Sequence, residues 1–160
     1  MPNPTPPAYA GSKAQTSQGT SIWVNPSGSS PPTWVFIGEC LGAQFSDKNM
    51  FDKSTNLQST AEEFLALLSD PGKLNVELNR VSTDAGQAAL SASYHALPPT
   101  RLQYLVVFPI NEAAGQTTQG DSRSFLAYVE EFSPQIKVNT RITTKFTLQI
   151  SGPITEADGS

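Results

Sequence analysis

VNTRITTKFTLQI, residues 138–150, decides how the chain is read. Val138, Thr140, Ile142, Thr144, Phe146, Leu148 and Ile150 alternate with Asn139, Arg141, Thr143, Lys145, Thr147 and Gln149. The first set is mostly apolar and the second is wholly polar. Period two is the signature of a strand, and this one has a dry face and a wet face. Such a strand belongs to a sheet that covers a core on one side and meets water on the other. Ile142, Phe146 and Leu148 are therefore expected to be buried, and the polar set to face solvent.

Working back toward the N-terminus, residues 122–132 and 102–109 read as further strands. A Gly/Gln/Thr-rich loop over residues 111–121 joins them. Residues 85–97 carry Leu90, Tyr94 and Leu97 at i, i+4 and i+7, behind N-cap candidates Thr83 and Asp84, and stop at Pro98-Pro99. That is a helix with its start and stop signals in place. Leu74, Val76 and Leu78 alternate within a strand over residues 73–80. Residues 20–25 and 33–45 read as the first two strands, with Gly38 and Gly42 marking bends or bulges.

Residues 46–71 are too long for an ordinary hairpin loop. Ser59-Thr60-Ala61-Glu62-Glu63 offers overlapping capping boxes before Phe64-Leu65-Ala66-Leu67-Leu68, and Asp70-Pro71-Gly72 follows. The segment reads as a long loop insertion holding a short helix. An apolar patch inside such an insertion serves either as an interaction element or as a helix packed on its own domain. About six strands and one helix in this order give a mainly β fold: a small β-sandwich or barrel with one flanking α-helix and a long loop insertion. Residues 1–18, with Pro2, Pro4, Pro6 and Pro7, read as a flexible N-terminal arm, residues 19–153 as one domain, and residues 154–160 as a short polar tail. Trp23, Val76, Leu90, Tyr94, Val106, Ile142, Phe146 and Leu148 are the expected core.

Composition narrows the function. The chain of 160 residues is long enough for one real core, yet only 15% of it is charged. Uncharged polar surface is cheaper to desolvate than charge and suits protein–protein contact. The net charge of −4 and the lack of a Lys/Arg run argue against a dedicated grip on nucleic-acid phosphates. A single cysteine, Cys40, excludes an internal disulfide framework and reads as a small apolar strand residue. No apolar run reaches the ~18 residues needed to cross a bilayer, and the N-terminus shows no secretory h-region.

Chemistry-bearing constellations are missing from the pattern. The single His95, with Cys40 as its one soft companion, leaves any zinc coordination short. No nucleophile elbow, phosphate-binding loop or dinucleotide fingerprint occurs. Glu130 and Glu131 are adjacent, so a regular strand sends them to opposite faces, a poor acid/base pair. Trp23, Trp34 and Tyr128 read as core or interface aromatics. No catalytic, cofactor-binding or metal-binding residue is assigned.

Specific phrases carry a resemblance. Pro2-Asn3-Pro4-Thr5, Gly19-Thr20, Trp23-Val24, Thr55-Asn56-Leu57-Gln58-Ser59, Asp70-Pro71-Gly72, Ala85-Gly86-Gln87-Ala88-Ala89-Leu90 and the closing stretch with Arg141-Ile142-Thr143 occur in order along nearly the whole chain. In this order they resemble the lambda-type tail tube proteins of long non-contractile phage tails. The resemblance implies a β-sandwich-like fold, six-fold rings, and rings stacked into a hollow tube in the virion tail. Such a tube is assembled in the bacterial host cytoplasm around a tape-measure protein. It meets tail-tip and tail-terminator proteins and passes double-stranded DNA in transit, with no specific DNA binding and no membrane insertion by this chain.

Carried onto these residues, the insertion becomes an inter-ring stacking loop bearing Asp47, Phe51, Asp52, Asn56, Leu57, Glu63, Phe64, Leu67 and Leu68. The polar face Asn139, Arg141, Thr143, Lys145, Thr147 and Gln149 then meets the lumen or the exterior. Two departures stand out: the loop mixes Asp47 and Asp52 with Lys48 and Lys53 where lambda-type loops are acidic, and a counterpart of their immunoglobulin-like domain is not expected. The competing reading is a virion binding module of the same fold, a decoration or adhesion protein that does not polymerise.

Overall fold

The computed structural model describes residue 14, residues 17–53 and residues 64–160. Most of the expected N-terminal arm, and Asn56, Leu57 and Glu63 of the expected stacking loop, lie outside these residues.

Among the described residues, eight strands and one α-helix follow in the order β1 (Ser21–Asn25), β2 (Val35–Phe36), β3 (Cys40–Lys53), β4 (Phe64–Asn79), α1 (Ala85–His95), β5 (Leu102–Val107), β6 (Ser122–Gln135), β7 (Thr143–Ile150) and β8 (Thr155–Ala157). All pairings are antiparallel, in the order β2-β1-β5-β6-β7-β4-β3, with β8 added on β6. β6 is shared between two halves. Up to Ala127 it pairs with β5, and from Ala127 onward with β7. The sheet curls about this strand until Phe45 of β3 meets Phe125 of β6 edge-on, with ring centroids 5.7 Å apart. β3 is three places from β6 in the hydrogen-bonded order, so only curling brings the two rings together.

The inner surface of the curl is the core. Ile22 and Val24, Tyr104 and Val106, Phe125, Ala127 and Val129, Phe146, Leu148 and Ile150, and Leu74, Val76 and Leu78 alternate inward from their strands and are buried. Each large side chain of this kind contributes about 1.5–3 kcal/mol relative to exposure. Of the expected core, Val76, Leu90, Val106, Phe146 and Leu148 lie here. Trp23 does not: it is half-buried on the outer face of β1, against Phe36 at 5.2 Å. Tyr94 is 37% exposed and lies over Phe132 at 6.0 Å, and Ile142 is 42% exposed.

Ile142 fails because the last strand is shorter than its alternation. β7 begins at Thr143; residues 138–140 form a turn in which Asn139 takes a left-handed φ of 59°. Asparagine tolerates that conformation better than most residues. Val138 is consequently 89% exposed, and Asn139 in the turn and Arg141 just after it lie outside the strand face. The helix also ends earlier than expected, at His95, and Leu97 lies outside it.

The largest correction concerns residues 46–71. Residues 46–53 continue β3 and residues 64–71 belong to β4, so what is described is a long two-stranded hairpin and not a loop with a helix. Asp70-Pro71-Gly72 does not stop the chain. It forms a bulge between the pairs Ser46↔Lys73 and Lys48↔Asp70, closed by a 2.9 Å bond from the Gly72 amide to Asp70 Oδ1. Proline has no ladder donor and sits at the slip. Gly72 has φ +71°, and a Cβ there would overlap the Ser46 carbonyl oxygen, so only glycine fits. At the other terminus residues 154–160 are more than a tail, since β8 pairs Ser122–Ser124 through Thr155–Ala157.

The helix is fixed at its N-terminus by two side chains. Asp84 caps it, accepting from the Gln87 amide (2.8 Å) and from the Gly38 amide (3.1 Å). Gln87, buried, donates from Nε2 to the carbonyls of Gly38 (3.2 Å) and Asn79 (3.0 Å), and its Oε1 accepts from the Val81 amide (3.0 Å). One amide thus ties the helix to the β2–β3 link and to the end of β4.

Tyr104 is fully buried and its hydroxyl has no hydrogen-bond partner among the described residues. Its burial pushes the phenol far above the usual range. An unpaired buried hydroxyl is a net loss. Tyr104→Phe is therefore expected to leave the thermal midpoint unchanged or to raise stability by about 1 kcal/mol; a clear drop on thermal melting would show that the hydroxyl has a partner.

Candidate assembly surfaces

The β3–β4 hairpin outruns the strand beside it. β7 accompanies β4 only as far as the pair Lys73↔Gln149. Beyond that point β3 and β4 pair with each other alone, out to Lys53↔Phe64. This stretch of β4 is about 30 Å long at ~3.3 Å per residue. Asp47, Met50, Phe51 and Asp52 stand on the facing stretch of β3, with Phe51 61% and Met50 49% exposed. Phe64, Leu67 and Leu68 are in β4, and their side chains lie outside the described residues. A two-stranded ribbon is at best marginally stable alone in water. Apolar side chains on a ribbon of this length need a surface to cover them.

A second surface is the outer face of β4, β6 and β7. Thr143, Lys145, Thr147 and Gln149 of β7 share it with Asn75 and Glu77 of β4 and Glu131, Ser133 and Gln135 of β6. Most of these line one shallow concavity. It is knitted by polar contacts: Thr147 Oγ1 donates to Asn75 Oδ1 (3.0 Å), Gln149 Nε2 to the Gly72 carbonyl (3.2 Å), and Lys73 meets Glu130 at 2.8 Å. Glu130 and Glu131 do not point to opposite faces. The register slips between Val129 and Glu131, and this bulge leaves both carboxylates exposed while Val129 and Phe132 keep the inner side.

A third surface differs in chemistry. On the outer side of β2, β1, β5 and β6, the register aligns Phe36, Trp23, Leu105 and Ser124 in one row. Leu126 and Tyr128 stand nearby on β6, each more than a third exposed. No charged side chain projects from this row. Among the described residues β2 is a free edge beyond it, as is β3 at the other end of the order.

His95 is exposed beside Tyr94, with ring centroids 5.1 Å apart. Cys40 is half-buried with its Sγ 3.5 Å from the Ile37 carbonyl; burial first and the Asp84 carboxylate second push its thiol up to about 11. A thiol so raised stays protonated and unreactive near neutral pH. Among the described residues no group of His, Cys, Asp and Glu is placed to hold a metal ion, and no helix is long and apolar enough to cross a membrane.

The fold has known counterparts. The tail of an empty gene transfer agent particle superposes with a TM-score of 0.69 at 13% identity, over 90% of this chain and 99% of that one. The SPP1 tail tube gives 0.72 at 12% identity, over 92% and 80%. The sheath–tube complex of an extracellular contractile injection system gives 0.66 at 7% identity, over 91% and 92%. At these identities the likeness is one of fold. No curated protein matches the sequence. Residues 13–158, however, match the family described as phage tail tube, lambda-like. The chain belongs to the lambda-like phage tail tube family and is a structural, non-enzymatic subunit of a virion tail.

Proposed function

We propose that this chain forms hexameric rings that stack head to tail into a hollow tube. The tube holds the tape-measure protein during assembly and later conducts double-stranded DNA into the host. The observation that carries this reading is the projecting β3–β4 hairpin: a ribbon with exposed Met50 and Phe51 and only one strand pair to support it. A neighbouring subunit supplies the missing cover. Free edges at β2 and β3 allow each sheet to be continued by its neighbour's, which consumes edges that otherwise invite aggregation.

The polar face of β7 is assigned to the lumen. Lys145 is balanced there by Glu77 and Glu131, and Lys73 by Glu130. A conduit must let the phosphate backbone slide, and a surface with no excess of Lys and Arg releases few counterions and does not hold it. The uncharged row around Trp23 and Phe36 faces away from the lumen. Tail-terminator and tail-tip proteins close the two ends.

Removing residues 47–69 tests the reading. The shortened chain should remain a folded monomer, with the circular dichroism of the full chain less the strand signal of the removed hairpin, and should form no tubes under electron microscopy after concentration at neutral pH. Tubes of normal length from this variant would show that the hairpin is not the stacking element.

A further inference from the structure

β4 crosses the subunit from end to end, and charges of opposite sign collect at its two ends. Lys53 faces Phe64 at one end of the sheet, and Asn79 faces Thr143 at the other. The hairpin end carries Asp47, Asp52 and Asp70, with Glu112 and Asp158 in the neighbouring loops, against Lys48, Lys53 and Arg123. Arg123 is already held by Glu156 at 2.7 Å. The far end carries Arg80, Lys137 and Arg141 against Glu39 and the half-buried helix cap Asp84. Glu39 in turn accepts from Asn79 Nδ2 at 3.1 Å. Here Arg80 and Arg141 flank the exposed Ile142 in a shallow cleft completed by Glu39 and Asn79.

We propose that this cleft is the seat for the β3–β4 hairpin of a second copy of the chain, with Arg80 and Arg141 meeting Asp47 and Asp52 and Ile142 covering apolar surface beside them. The inference rests on the tube reading and deepens it by naming the receiving surface. Opposite ends attract and like ends repel, so copies add in one direction only, which is a heterologous, open contact. The same charges make the contact weaken with added salt.

Two experiments read it. Arg80→Glu with Arg141→Glu changes two exposed side chains and should leave the melting curve of the monomer unchanged. Pelletable polymer should fall at least about tenfold, the factor that ~1.4 kcal/mol of lost contact implies. Adding Asp47→Arg and Asp52→Arg to the same chain should restore it. Independently of polymer formation, a Cys40→Ser chain carrying Asp47→Cys and Arg141→Cys should form a disulfide-linked ladder between copies on oxidation. A control pairing Asp47→Cys with Gln103→Cys should not. Ladder without tubes would sink the tube reading and keep the contact. Wild-type amounts of tube from the doubly reversed chain, loss without rescue, or a ladder no stronger than the control would each overturn the contact and leave the tube reading standing.

Discussion

Phe146→Asp should leave no cooperatively folded protein. Phe146 is 1% exposed and lies in register with Val76 on β4 and Phe132 on β6, at the centre of the inner face. Truncating a buried phenylalanine costs about 3–5 kcal/mol. An unpaired carboxylate in the same place adds several more, unless it takes up a proton. A domain of this size has roughly 5–15 kcal/mol in total, so the sum consumes most or all of it. Circular dichroism on heating should show no sharp transition. Lys145→Gln, one residue away on the wet face, should stay within about 0.5 kcal/mol of wild type. A Phe146→Asp midpoint close to wild type would mean that β7 presents its faces the other way round.

Gln87→Ala should be the next most damaging of the simple substitutions. It strands the carbonyls of Gly38 and Asn79 and the amide of Val81 at once. Leaving a buried polar group unpaired costs about 1–3 kcal/mol. Partial solvent access at Asn79 and Val81 brings the expected total to about 3 kcal/mol, or a midpoint lowered by about 10 °C. Gln87→Glu discriminates the cause. It keeps the length but turns a donor into an acceptor facing two carbonyls, so it should be at least as damaging as alanine at neutral pH. A mild Gln87→Glu would mean that the side chain acts through packing alone.

What the sequence showed and hid follows from where burial imposes a pattern. The inward residues of β4, β5 and β7 alternate because one side of each strand is dry, and the helix announces itself through Asp84 and its i, i+4 spacing. The hairpin had no such guide. Two strands that stand clear of the core have no dry face to enforce period two, and the capping boxes at residues 59–63 with the leucine-rich run after them imitate a helix start. The turn at residues 138–140 was hidden for the opposite reason. Val138 and Ile142 continue an alternation that burial no longer supports, and only Asn139 hints at a reversal. The bulge at Glu130 was invisible, since a one-residue slip is set by pairing across strands and not by local composition. The assembly surfaces depend on all three of these points, so residues could be named from the sequence while their arrangement could not.

The sixteen residues of β4 have a mechanical meaning as well. In the stacking proposed above, the hairpin leaves from one end of this strand and the cleft that would receive it in the next copy sits beside the other. Tension along a stack would enter and leave each subunit through one covalent strand about 50 Å long. Ladder bonds run perpendicular to antiparallel strands. Pulling along β4 therefore loads its bonds to β3 and β7 in shear, all at once, where pulling across the sheet would open them one by one. A filament built this way resists stretching far better than it resists peeling, and a blow from the side is the easier way to break it.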